Sequence, residues 1–594
     1  MCGIWGLVTI DKNFIINNDN LYKLFMQIKH RGPDRSIYID NSTYKIGFHR
    51  LAIIDTTIQG DQPFSFSYYK TNEDGDQILR TLYVICNGEI YNYKEILESD
   101  EFTESLIKTN YKLKSQSDCE ILLPLFIHYG IERMIIKLNG EFAFAIYDIE
   151  ENITKSVCTY NLYMGRDRFG IRPLFYTIID DKTIGFCSEM KGLIDIQANN
   201  VNNLIKVFAP REWMHLSGRF GDDKFKINSN NYYQVGNVHT VLKPDLDDVY
   251  RIIQQTFTTA VKIRLNSDRE LGCLLSGGLD SSLVAAIASK CLKEQGRKLR
   301  TFSIGMKNSP DSYYAKMVAD HIGSIHTNIE IPEEEWLNNL YNVIKITETF
   351  DITTIRATTG QYLISKWIRA NTNIKVLLIG DGSDELTAGY LYFHKAPSPN
   401  DSHFENIRLL SDIHYFDVLR ADRGVASNGL EARVPFLDYK FVDLYLSIDP
   451  ILRIPTMYNY TDVNGNNVKI SKCEKWLLRK SFEQTNLLPL EVLWRKKEAF
   501  SDGVSSQEKS WYQIIQANIN NSITDDYVKA NIEKYNGFVI PHTKEALHYH
   551  QIYDKMYPNQ YGICPYYWLP KWIANATDPS ARTLEIYNQI DSAK

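Results

Sequence analysis

Hydrophobic and polar residues alternate in different ways in the two halves of the chain. Up to about residue 200, short apolar runs such as 82–92 and 141–148 are separated by Gly, Asn and Asp, which is typical of β-strands. One helix is predicted here, because apolar residues recur at helical spacing over 121–126, after Asp118 in the position of a cap. This half is therefore predicted to be an α+β sandwich of stacked antiparallel sheets with flanking helices.

Beyond about residue 245, strand-like and helix-like segments take turns. The strand-like runs at 271–275, 298–305 and 374–380 are separated by segments with helical periodicity. Because strands that alternate with helices usually pair in parallel, this half is predicted to be an α/β domain with a mostly parallel sheet covered on both faces.

The segments between these runs predict the connections. Residues 206–245 contain Asn pairs and Gly-rich stretches, so we expect a linker there, between one domain at 1–205 and another at 246–594. The Asn-Gly pair within 463–467 predicts the tip of a hairpin. Residues 395–406 are too polar to pack and are predicted to form a surface loop.

Composition narrows the class of protein. The 594 residues are 44% hydrophobic and 23% charged, and the mean hydropathy of -0.30 excludes a polytopic membrane protein. With a net charge of -6, the protein lacks the positive potential that nucleic-acid binding needs. The nine cysteines are scattered without a CxxC pair, which favours a reducing, cytoplasmic location. The apolar start has no basic region and reaches Asp11 early, so neither a signal peptide nor a membrane partner is predicted.

Cys2 is the first candidate for chemistry. Removal of Met1 would leave a cysteine with a free α-amine, whose pKa of about 7.7 to 8.0 lies below the value of about 8.5 for the thiol. The amine can then accept the proton of the thiol near neutral pH, so that one residue supplies both nucleophile and base. Taken alone, Cys2 is better interpreted as an ordinary cysteine; its sequence context changes that interpretation.

Five segments in order resemble the glutaminase domain of amidotransferases that use an N-terminal cysteine: 2–4 (CGI), 30–34 (HRGPD), 49–55 (HRLAIID), 87–92 (NGEIYN) and 165–174 (GRDRFGIRPL). The resemblance implies an N-terminal nucleophile fold and a glutamine site. The residues that it assigns to glutamine are Arg50, Leu51, Ile53, Ile54, Asn87, Gly88, Glu89 and Asp118.

The residue types suit the parts of glutamine. Arg50 offers a planar fork for the α-carboxylate, and Asp118 a negative charge for the α-ammonium. By the resemblance, the Asn87 amide and the Gly88 N–H form the oxyanion hole. The alternatives are a surface salt bridge for Arg50 and a simple hairpin turn for the Asn87-Gly88 pair.

A second constellation, Ser276-Gly277-Gly278-Leu279-Asp280-Ser281, follows the run at 271–275 and opens a helix. The free N–H groups of such a helix start bind phosphate. The sequence resembles the signature of PP-loop ATP pyrophosphatases, and the chain has no Walker A motif, so cleavage of ATP to AMP and pyrophosphate is favoured. Asp280 and Asp384, the latter in a second Gly-rich loop, are predicted to share Mg²⁺. Their alternative is a pair of solvated loop carboxylates.

Further segments resemble the glutamine-hydrolysing asparagine synthetases of eukaryotic type: 353–356 (TTIR), 431–438 (EARVPFLD), 494–503 (WRKKEAFSDG), 564–572 (CPYYWLPKW) and 578–583 (DPSART). The residues that this resemblance assigns to ATP are Leu275, Ser276, Gly277, Gly278, Asp280, Ser281, Ile304, Ile379 and Gly380. It places Thr353, Thr354 and Arg356 near aspartate or pyrophosphate, with a helix start and a surface arginine as the alternative. The catalytic residues that it implies are Cys2, Asn87, Gly88, Asp381 and Lys497; Lys497 is otherwise one of three solvated cations.

One loop departs from the family. Many asparagine synthetases have Ser-Gly-Glu-Gly where this chain has Ile379-Gly380-Asp381-Gly382. The Glu of the family is tied to formation of the β-aspartyl adenylate. Because Asp381 is shorter by one methylene, its carboxylate lies closer to the backbone by about 1.3 to 1.5 Å. The alternative is that Asp381 only stabilises its loop.

The implied activity is synthesis of L-asparagine from L-aspartate, L-glutamine and ATP. It proceeds through β-aspartyl-AMP, with ammonia passed internally and with glutamate, AMP and pyrophosphate as products. The substrates are the expected partners, ATP and Mg²⁺ the expected cofactors, and the oligomeric state stays open, a homodimer included. The rival interpretations are an amidotransferase for another carboxylate, a regulatory protein with inactive sites, and a stand-alone hydrolase.

Overall fold

The computed structural model describes residues 1–12, 14, 18–194, 196, 204–237, 245–461, 467–506, 508–520, 522–535, 537–585 and 587. The chain divides into two compact units. The first comprises Met1–Gln234 with Ser267–Arg269, and the second Val235–Asn266 with Glu270–Lys594.

Two six-stranded antiparallel sheets make up the first unit. The strands are β1 Gly3–Thr9, β2 Arg35–Asp40, β3 Tyr44–Arg50, β4 Phe64–Thr71, β5 Gln77–Ile90, β6 Gly140–Asn152, β7 Val157–Arg166, β8 Phe175–Ile179, β9 Thr183–Cys187, β10 Lys206–Val207, β11 Glu212–Arg219 and β12 Lys226–Asn231. The helices are α1 Asn18–Met26, α2 Tyr93–Leu97, α3 Asp100–Thr109 and α4 Leu122–Lys137, with 3₁₀ turns at Lys29–Arg31, Ile58–Gly60, Asp118–Ile121 and Met190–Gly192. The sheet orders are β10-β8-β9-β1-β3-β2 and β12-β11-β7-β6-β5-β4.

The two sheets share an apolar core. Ile4 and Val8 of β1 pack with Ile85 of β5 and with Ala143 and Ala145 of β6, all buried. Alternate residues of each strand point to this interface, as expected for stacked sheets. The predicted stack of antiparallel sheets is thereby confirmed.

Part of the expected linker belongs to this unit. Residues 206–231 form β10, β11 and β12 instead of an irregular connection, because Trp213, Met214 and Leu216 of β11 bury their apolar side chains. Residues 238–244 of the expected linker lie outside the described residues.

The second unit is built on a parallel sheet. Its strands are β13 Leu271–Leu274, β14 Arg300–Gly305, β15 Ile325–Glu330, β16 Val376–Leu378, β17 Glu431–Arg433, β18 Thr456–Thr461 and β19 Asn467–Cys473. The first five pair in parallel in the order β15-β14-β13-β16-β17, which confirms the predicted α/β class.

Many helices accompany this sheet. The α-helices are α5 Leu246–Ile263, α6 Leu279–Glu294, α7 Pro310–Ile322, α8 Glu333–Asn338, α9 Leu340–Thr347, α10 Ile352–Asn371, α11 Ser383–Leu386, α12 Pro399–Asp412, α13 Asp417–Ala426, α14 Tyr439–Ser447, α15 Pro450–Arg453, α16 Trp476–Phe482, α17 Leu490–Leu493, α18 Phe500–Gly503, α19 Trp511–Asn520, α20 Asp525–Ile532 and α21 Lys544–Met556. The 3₁₀ turns are Leu391–Lys395, Ile413–Tyr415, Pro435–Leu437, Glu483–Thr485, Glu533–Tyr535, Tyr561–Ile563 and Ala581–Thr583.

Two sequence expectations meet different outcomes here. The strands β18 and β19 pair antiparallel, as a hairpin does, and residues 463–466 of the tip predicted at 463–467 lie outside the described residues. The surface loop expected at 395–406 is wrong, because α12 covers most of it. Ser398 caps this helix, Pro399 occupies its first turn, and Glu405 is buried.

The sheet order explains where a site forms. The central strands β13 and β16 are neighbours, and their carboxyl ends lead into the 275–281 and 379–382 loops. Ligands of parallel sheets bind outside such ends, where the connections leave in opposite directions. No helix among the described residues is long and apolar enough to cross a bilayer.

Candidate active sites

Cys2 lies immediately before β1 and is half-buried. Its Sγ is 3.4 Å from the backbone nitrogen of Leu51 and 3.7 Å from the Leu51 carbonyl oxygen. Arg31 Nε donates to the carbonyl oxygen of Cys2 at 3.0 Å. The nucleophile candidate is therefore held by the residue that follows β3, since β3 pairs with β1.

Met1 is fully buried beside two arginines. Its Sδ is 2.6 Å from Arg172 Nη1 and 3.7 Å from Arg31 Nη2. Arg172 in turn pairs with the buried Glu141 at 3.0 Å. The side chain of the residue before Cys2 thus lies against two guanidinium groups.

Asn87 and Gly88 do not form a hairpin turn. Both lie within β5, where they pair with Ala143 and Phe142 of β6. The Asn87 amide is fully buried, and neither its nitrogen nor its oxygen has a hydrogen-bond partner among the described residues. A buried polar group without a partner is costly, so this amide suits an incoming ligand. Gly88 has a φ of 154° and a Cβ there would lie 2.1 Å from the Glu141 carbonyl oxygen, so that this close approach requires glycine.

Arg50 is buried, with 4% of its surface exposed, so it is not a surface salt bridge. Its Nη1 donates to the carbonyl oxygen of Thr57 at 2.5 Å and to Asp61 Oδ1 at 2.6 Å, and its Nη2 donates to the Asp55 carbonyl oxygen. These acceptors fix the guanidinium beside the loop that follows β3. The same loop contains the buried Leu51 and Ile53 and the partly buried Ile54.

Asp118 is buried, and its Oδ2 accepts the backbone N–H of Ile90 at 2.6 Å. This bond ties the acid to the end of β5, close in sequence to the buried Glu89. The helix cap expected at Asp118 is wrong: Ser117 caps a 3₁₀ turn that Asp118 begins, and α4 follows only at Leu122.

One cleft in the second unit collects most of the predicted nucleotide and catalytic residues. Those that line it are Leu275, Ser276, Gly278, Asp280, Ser281, Ile304, Thr353, Arg356, Ile379, Gly380, Asp381, Asp384 and Lys497. Gly277 and Thr354 do not line it. Thr354 donates its N–H and hydroxyl to Asp351, the cap of α10, at 2.8 Å each.

The phosphate-type loop is shaped by close backbone packing. Gly277 has a φ of 74°, and a Cβ there would lie 2.4 Å from the Ala315 nitrogen. The Ser276 N–H donates to Ser281 Oγ at 3.1 Å, which closes the loop at the start of α6. A Cβ on Gly380 would lie 2.7 Å from the Ser281 nitrogen, so the two Gly-rich loops touch.

Lys475 joins the two predicted metal-binding acids. Its Nζ is 2.7 Å from both carboxylate oxygens of Asp280 and 2.5 Å from Asp384 Oδ1, and Lys497 Nζ donates to Asp384 Oδ2 at 2.6 Å. Burial alone would raise the pKa of Asp384, but the two lysine ammonium groups lower it below its usual range. The carboxylates are therefore paired, not solvated.

Comparisons with known proteins match both units. A family model described as "Glutamine amidotransferase domain" matches residues 1–226, and one described as "Asparagine synthase" matches 253–412 and 399–574. Proteins named "Asparagine synthetase [glutamine-hydrolyzing]" are similar over full length, each covering at least 99% of both chains: 42% identical in Homo sapiens, 41% in Pongo abelii and 41% in Gallus gallus. The chain belongs to the glutamine-hydrolysing asparagine synthetase family. The family and the enzyme class expected from the sequence are thereby confirmed.

In this member of the family, the divergent acid Asp381 is held by other side chains. Arg420 Nη2 and Nε lie 2.5 and 3.1 Å from Asp381 Oδ1, and Gln361 Nε2 donates to Oδ2 at 3.3 Å. Burial raises the pKa of Asp381, while Arg420 opposes that rise. Arg420 also pairs with Asp417. The carboxylate thus faces the cleft with a fixed orientation.

Arg356 is buried and not a surface arginine. Its guanidinium pairs with Glu545 at 2.9 and 2.6 Å and with Asp578 at 2.9 and 2.8 Å. Both carboxylates bind it in the two-pronged manner that suits arginine. The guanidinium that the sequence assigned to aspartate or pyrophosphate is therefore bound by two carboxylates of the protein itself.

Sequence reasoning missed several charged residues of the cleft. The cleft is also lined by Lys475, Arg420, Glu385 and Asp417. Burial raises the pKa of Glu385 well above its usual range, and repulsion by Asp417 adds to this rise. Glu385 directly follows the Gly-Ser-Asp run, which was a signal. Lys475, Arg420 and Asp417 lie in segments without a motif, so no local pattern could have identified them.

Proposed function

We propose that this chain synthesises L-asparagine from L-aspartate, L-glutamine and ATP in the cytoplasm, with glutamate, AMP and pyrophosphate as the other products. The proposal rests on one observation above all: a chain similar over its full length to proteins named asparagine synthetase has Cys2 before β1 and an SGGLDS loop that opens into a charged cleft. All nine cysteines are free thiols, which supports a reducing compartment.

Glutamine would be hydrolysed at Cys2 once Met1 is removed. Cys2 Sγ attacks the carboxamide carbon, and the thiol proton passes to the α-amine. The Asn87 amide and the Gly88 N–H stabilise the oxyanion. The amine then protonates the departing ammonia, and water hydrolyses the thioester to glutamate.

Arg50 and Asp118 would orient glutamine for this attack. The guanidinium of Arg50 binds the α-carboxylate, for which it must exchange or share its contact with Asp61. The Asp118 carboxylate, already fixed by the Ile90 N–H, binds the α-ammonium. Leu51, Ile53, Ile54 and Glu89 complete the walls of this pocket.

Aspartate would be activated in the cleft of the second unit. A β-carboxylate oxygen attacks the α-phosphorus of ATP, pyrophosphate leaves, and ammonia then displaces AMP from β-aspartyl-AMP. The N–H groups of the 276–281 loop and Lys497 bind the phosphates. Leu275, Ile304 and Ile379 offer apolar surface for adenine, and Thr353, which lines the same cleft, would bind aspartate or pyrophosphate.

The acids of this cleft fit Mg²⁺. Asp280 and Asp384 converge on one cationic group, the Lys475 ammonium, so their oxygens are placed to hold a cation between them. Mg²⁺ commonly uses one or two carboxylates together with substrate phosphates. Bound there, it would neutralise the charge of the leaving pyrophosphate. Lys475 would then turn from the carboxylates toward the phosphates.

Internal passage of ammonia follows from the chemistry of the two steps. Ammonia released into water becomes ammonium, which is no nucleophile, and an acyl adenylate exposed to water hydrolyses. Retention of ammonia inside the protein avoids both losses.

A product analysis tests the proposal. We expect purified protein with ATP, Mg²⁺, aspartate and glutamine to form asparagine, glutamate, AMP and pyrophosphate in equal amounts, measured by mass spectrometry and nucleotide chromatography. Stoichiometric ADP and phosphate, or faster amidation of another carboxylic acid, would refute it.

A further inference from the structure

Residues 578–585 and 587, called the strap below, run along one wall of the synthetase cleft. Pro579, Ser580 and Ala581 line the cleft beside the predicted nucleotide residues. Leu584 is 6% exposed and packs on Leu391, which also lines the cleft. The strap is therefore part of the wall and not a loose surface segment.

Two buried groups anchor the first part of the strap. The Asp578 carboxylate binds the Arg356 guanidinium through two hydrogen bonds of 2.9 and 2.8 Å, and it accepts a third from Gln516 at 2.9 Å. Ser580 Oγ lies 3.0 Å from both carboxylate oxygens of Asp502. Arg356 and Asp502 are almost fully buried, so these bonds are shielded from water.

The second part of the strap contacts the loop that presents Lys497. Lys496 Nζ lies 3.5 Å from the ring centroid of Tyr587 and donates to the Tyr587 carbonyl oxygen at 2.8 Å. The Tyr587 hydroxyl donates to Glu498, which Arg582 approaches at 3.5 Å. Both neighbours of Lys497 are thus bound by the strap.

Side chains fix the conformation of this loop, in which Arg495 also pairs with Asp311 at 2.8 Å. Residues 494–499 form neither helix nor strand, between α17 and α18. A segment without backbone ladders depends on its side-chain contacts for a single conformation. Lys497 points to Asp384, while Lys496 and Glu498 point to Tyr587. Loss of the strap would remove these contacts from both neighbours of Lys497 and so loosen the position of the Lys497 ammonium.

We infer that the strap is a working part of the synthetase site: Tyr587 is a positioning residue that orients Lys497 toward the phosphates of ATP, and Arg356 acts by holding the strap instead of binding a substrate. This inference rests on the proposed function, because it assigns ATP to the cleft. It adds the contacts of the strap to the residues already described in the cleft.

Three variants of the full-length protein test the inference. Tyr587→Ala removes the ring and the hydroxyl, Tyr587→Phe keeps the ring over Lys496, and Tyr341→Ala is the control, since Tyr341 is 54% exposed on α9 and does not line the cleft. Aspartate-dependent pyrophosphate release with ammonium as nitrogen donor gives kcat and KM for ATP. Glutamine hydrolysis by the same samples reports on the fold of the other unit.

We expect Tyr587→Ala to lower kcat/KM for ATP roughly tenfold or more, because a shift on the order of 1 Å of a reacting group costs up to about 10²-fold. Tyr587→Phe should recover most of that loss, since the cation–π contact survives. Glutamine hydrolysis and the Tyr341→Ala variant should match the wild type.

Wild-type kcat/KM for ATP in Tyr587→Ala would overturn the inference. Should that variant fail to fold, Asp578→Asn gives the answer instead: it keeps the size of the side chain, weakens the bond to Arg356, and should raise KM for ATP with KM for glutamine unchanged. Unchanged KM for ATP there would equally overturn the inference. A wild-type protein that releases no pyrophosphate would refute the proposed function itself, which separates the two failures.

Discussion

The two candidate sites differ in how their polar groups are satisfied. In the first unit, the Asn87 amide is buried without a hydrogen-bond partner among the described residues. In the second unit, Asp280 and Asp384 are bound by Lys475, and Asp381 is bound by Arg420. The candidate glutaminase site thus contains a buried amide without a partner among the described residues, whereas the acids of the candidate synthetase cleft are paired with cations.

This difference matches the charge of the substrates. A glutamine carboxamide is neutral and develops one negative charge on an oxygen, for which a preorganised amide suffices. ATP brings several negative charges, and its binding requires cations that are already present but engaged elsewhere. In the proposed mechanism, Lys475 and Lys497 exchange Asp384 for phosphate, so that no unpaired charge is buried in either state.

The largest effect should come from Cys2→Ala, which breaks the comparison cleanly. Glutamine-dependent synthesis should fall by roughly three orders of magnitude or more, because the nucleophile is lost. Synthesis from ammonium should persist, because the second unit keeps all its groups. Cys158→Ala, at a half-buried thiol of β7, is the control and should behave as wild type. Equal loss of both activities in folded Cys2→Ala would contradict two separate sites.

A second variant isolates the divergent acid. Asp381→Asn should abolish aspartate-dependent pyrophosphate release, since the neutral amide cannot pair with the Arg420 cation. A displacement of a reacting group by about 1 Å already lowers the rate about 10²-fold. Asp381→Glu, which restores the longer acid of the family, should retain measurable synthesis. Wild-type pyrophosphate release by folded Asp381→Asn would show that this carboxylate does not serve adenylation.

A third variant tests the internal neutralisation. Lys475→Met leaves Asp280 and Asp384 without their shared cation, and loss of one partner of a buried ion pair costs about 3–5 kcal/mol. We expect a lower Tm for the second unit and loss of pyrophosphate release, while glutamine hydrolysis continues. The matched control is Lys316→Met, because Lys316 is 64% exposed. If Lys475→Met retained synthesis, the Lys475 ammonium would not be required for the reaction.

The smallest effect concerns pH. Burial raises the pKa of Asp502 from 3.8 to about 6, so the native state binds its proton more tightly than the unfolded state. The stability of the wild type relative to Asp502→Asn should therefore decline as pH rises through this interval and stay constant above it. Differential scanning calorimetry of both proteins measures this, and a Tm difference independent of pH would contradict the assignment.

The sequence predicted what depends on local pattern. Strand periodicity identified β5, β6 and the parallel strands β13, β14 and β16, but not β15 or β17. The two Gly-rich loops met because β13 and β16 are neighbours. Long-range partners carry no such signal: Lys475 reaches Asp280 across 195 residues. The surface loop predicted from polarity at 395–406 was wrong. A Ser cap and a Pro in the first turn let this polar segment form α12, in which Glu405 is buried.

The central claim is that aspartate is activated by adenylation. Aspartate labelled with ¹⁸O in its β-carboxylate, incubated with ATP, Mg²⁺ and glutamine, tests it directly by mass spectrometry of the nucleotide products. Attack of the carboxylate on the α-phosphorus should leave one ¹⁸O atom in AMP and none in pyrophosphate. Unlabelled AMP, or label in inorganic phosphate together with ADP, would contradict the account.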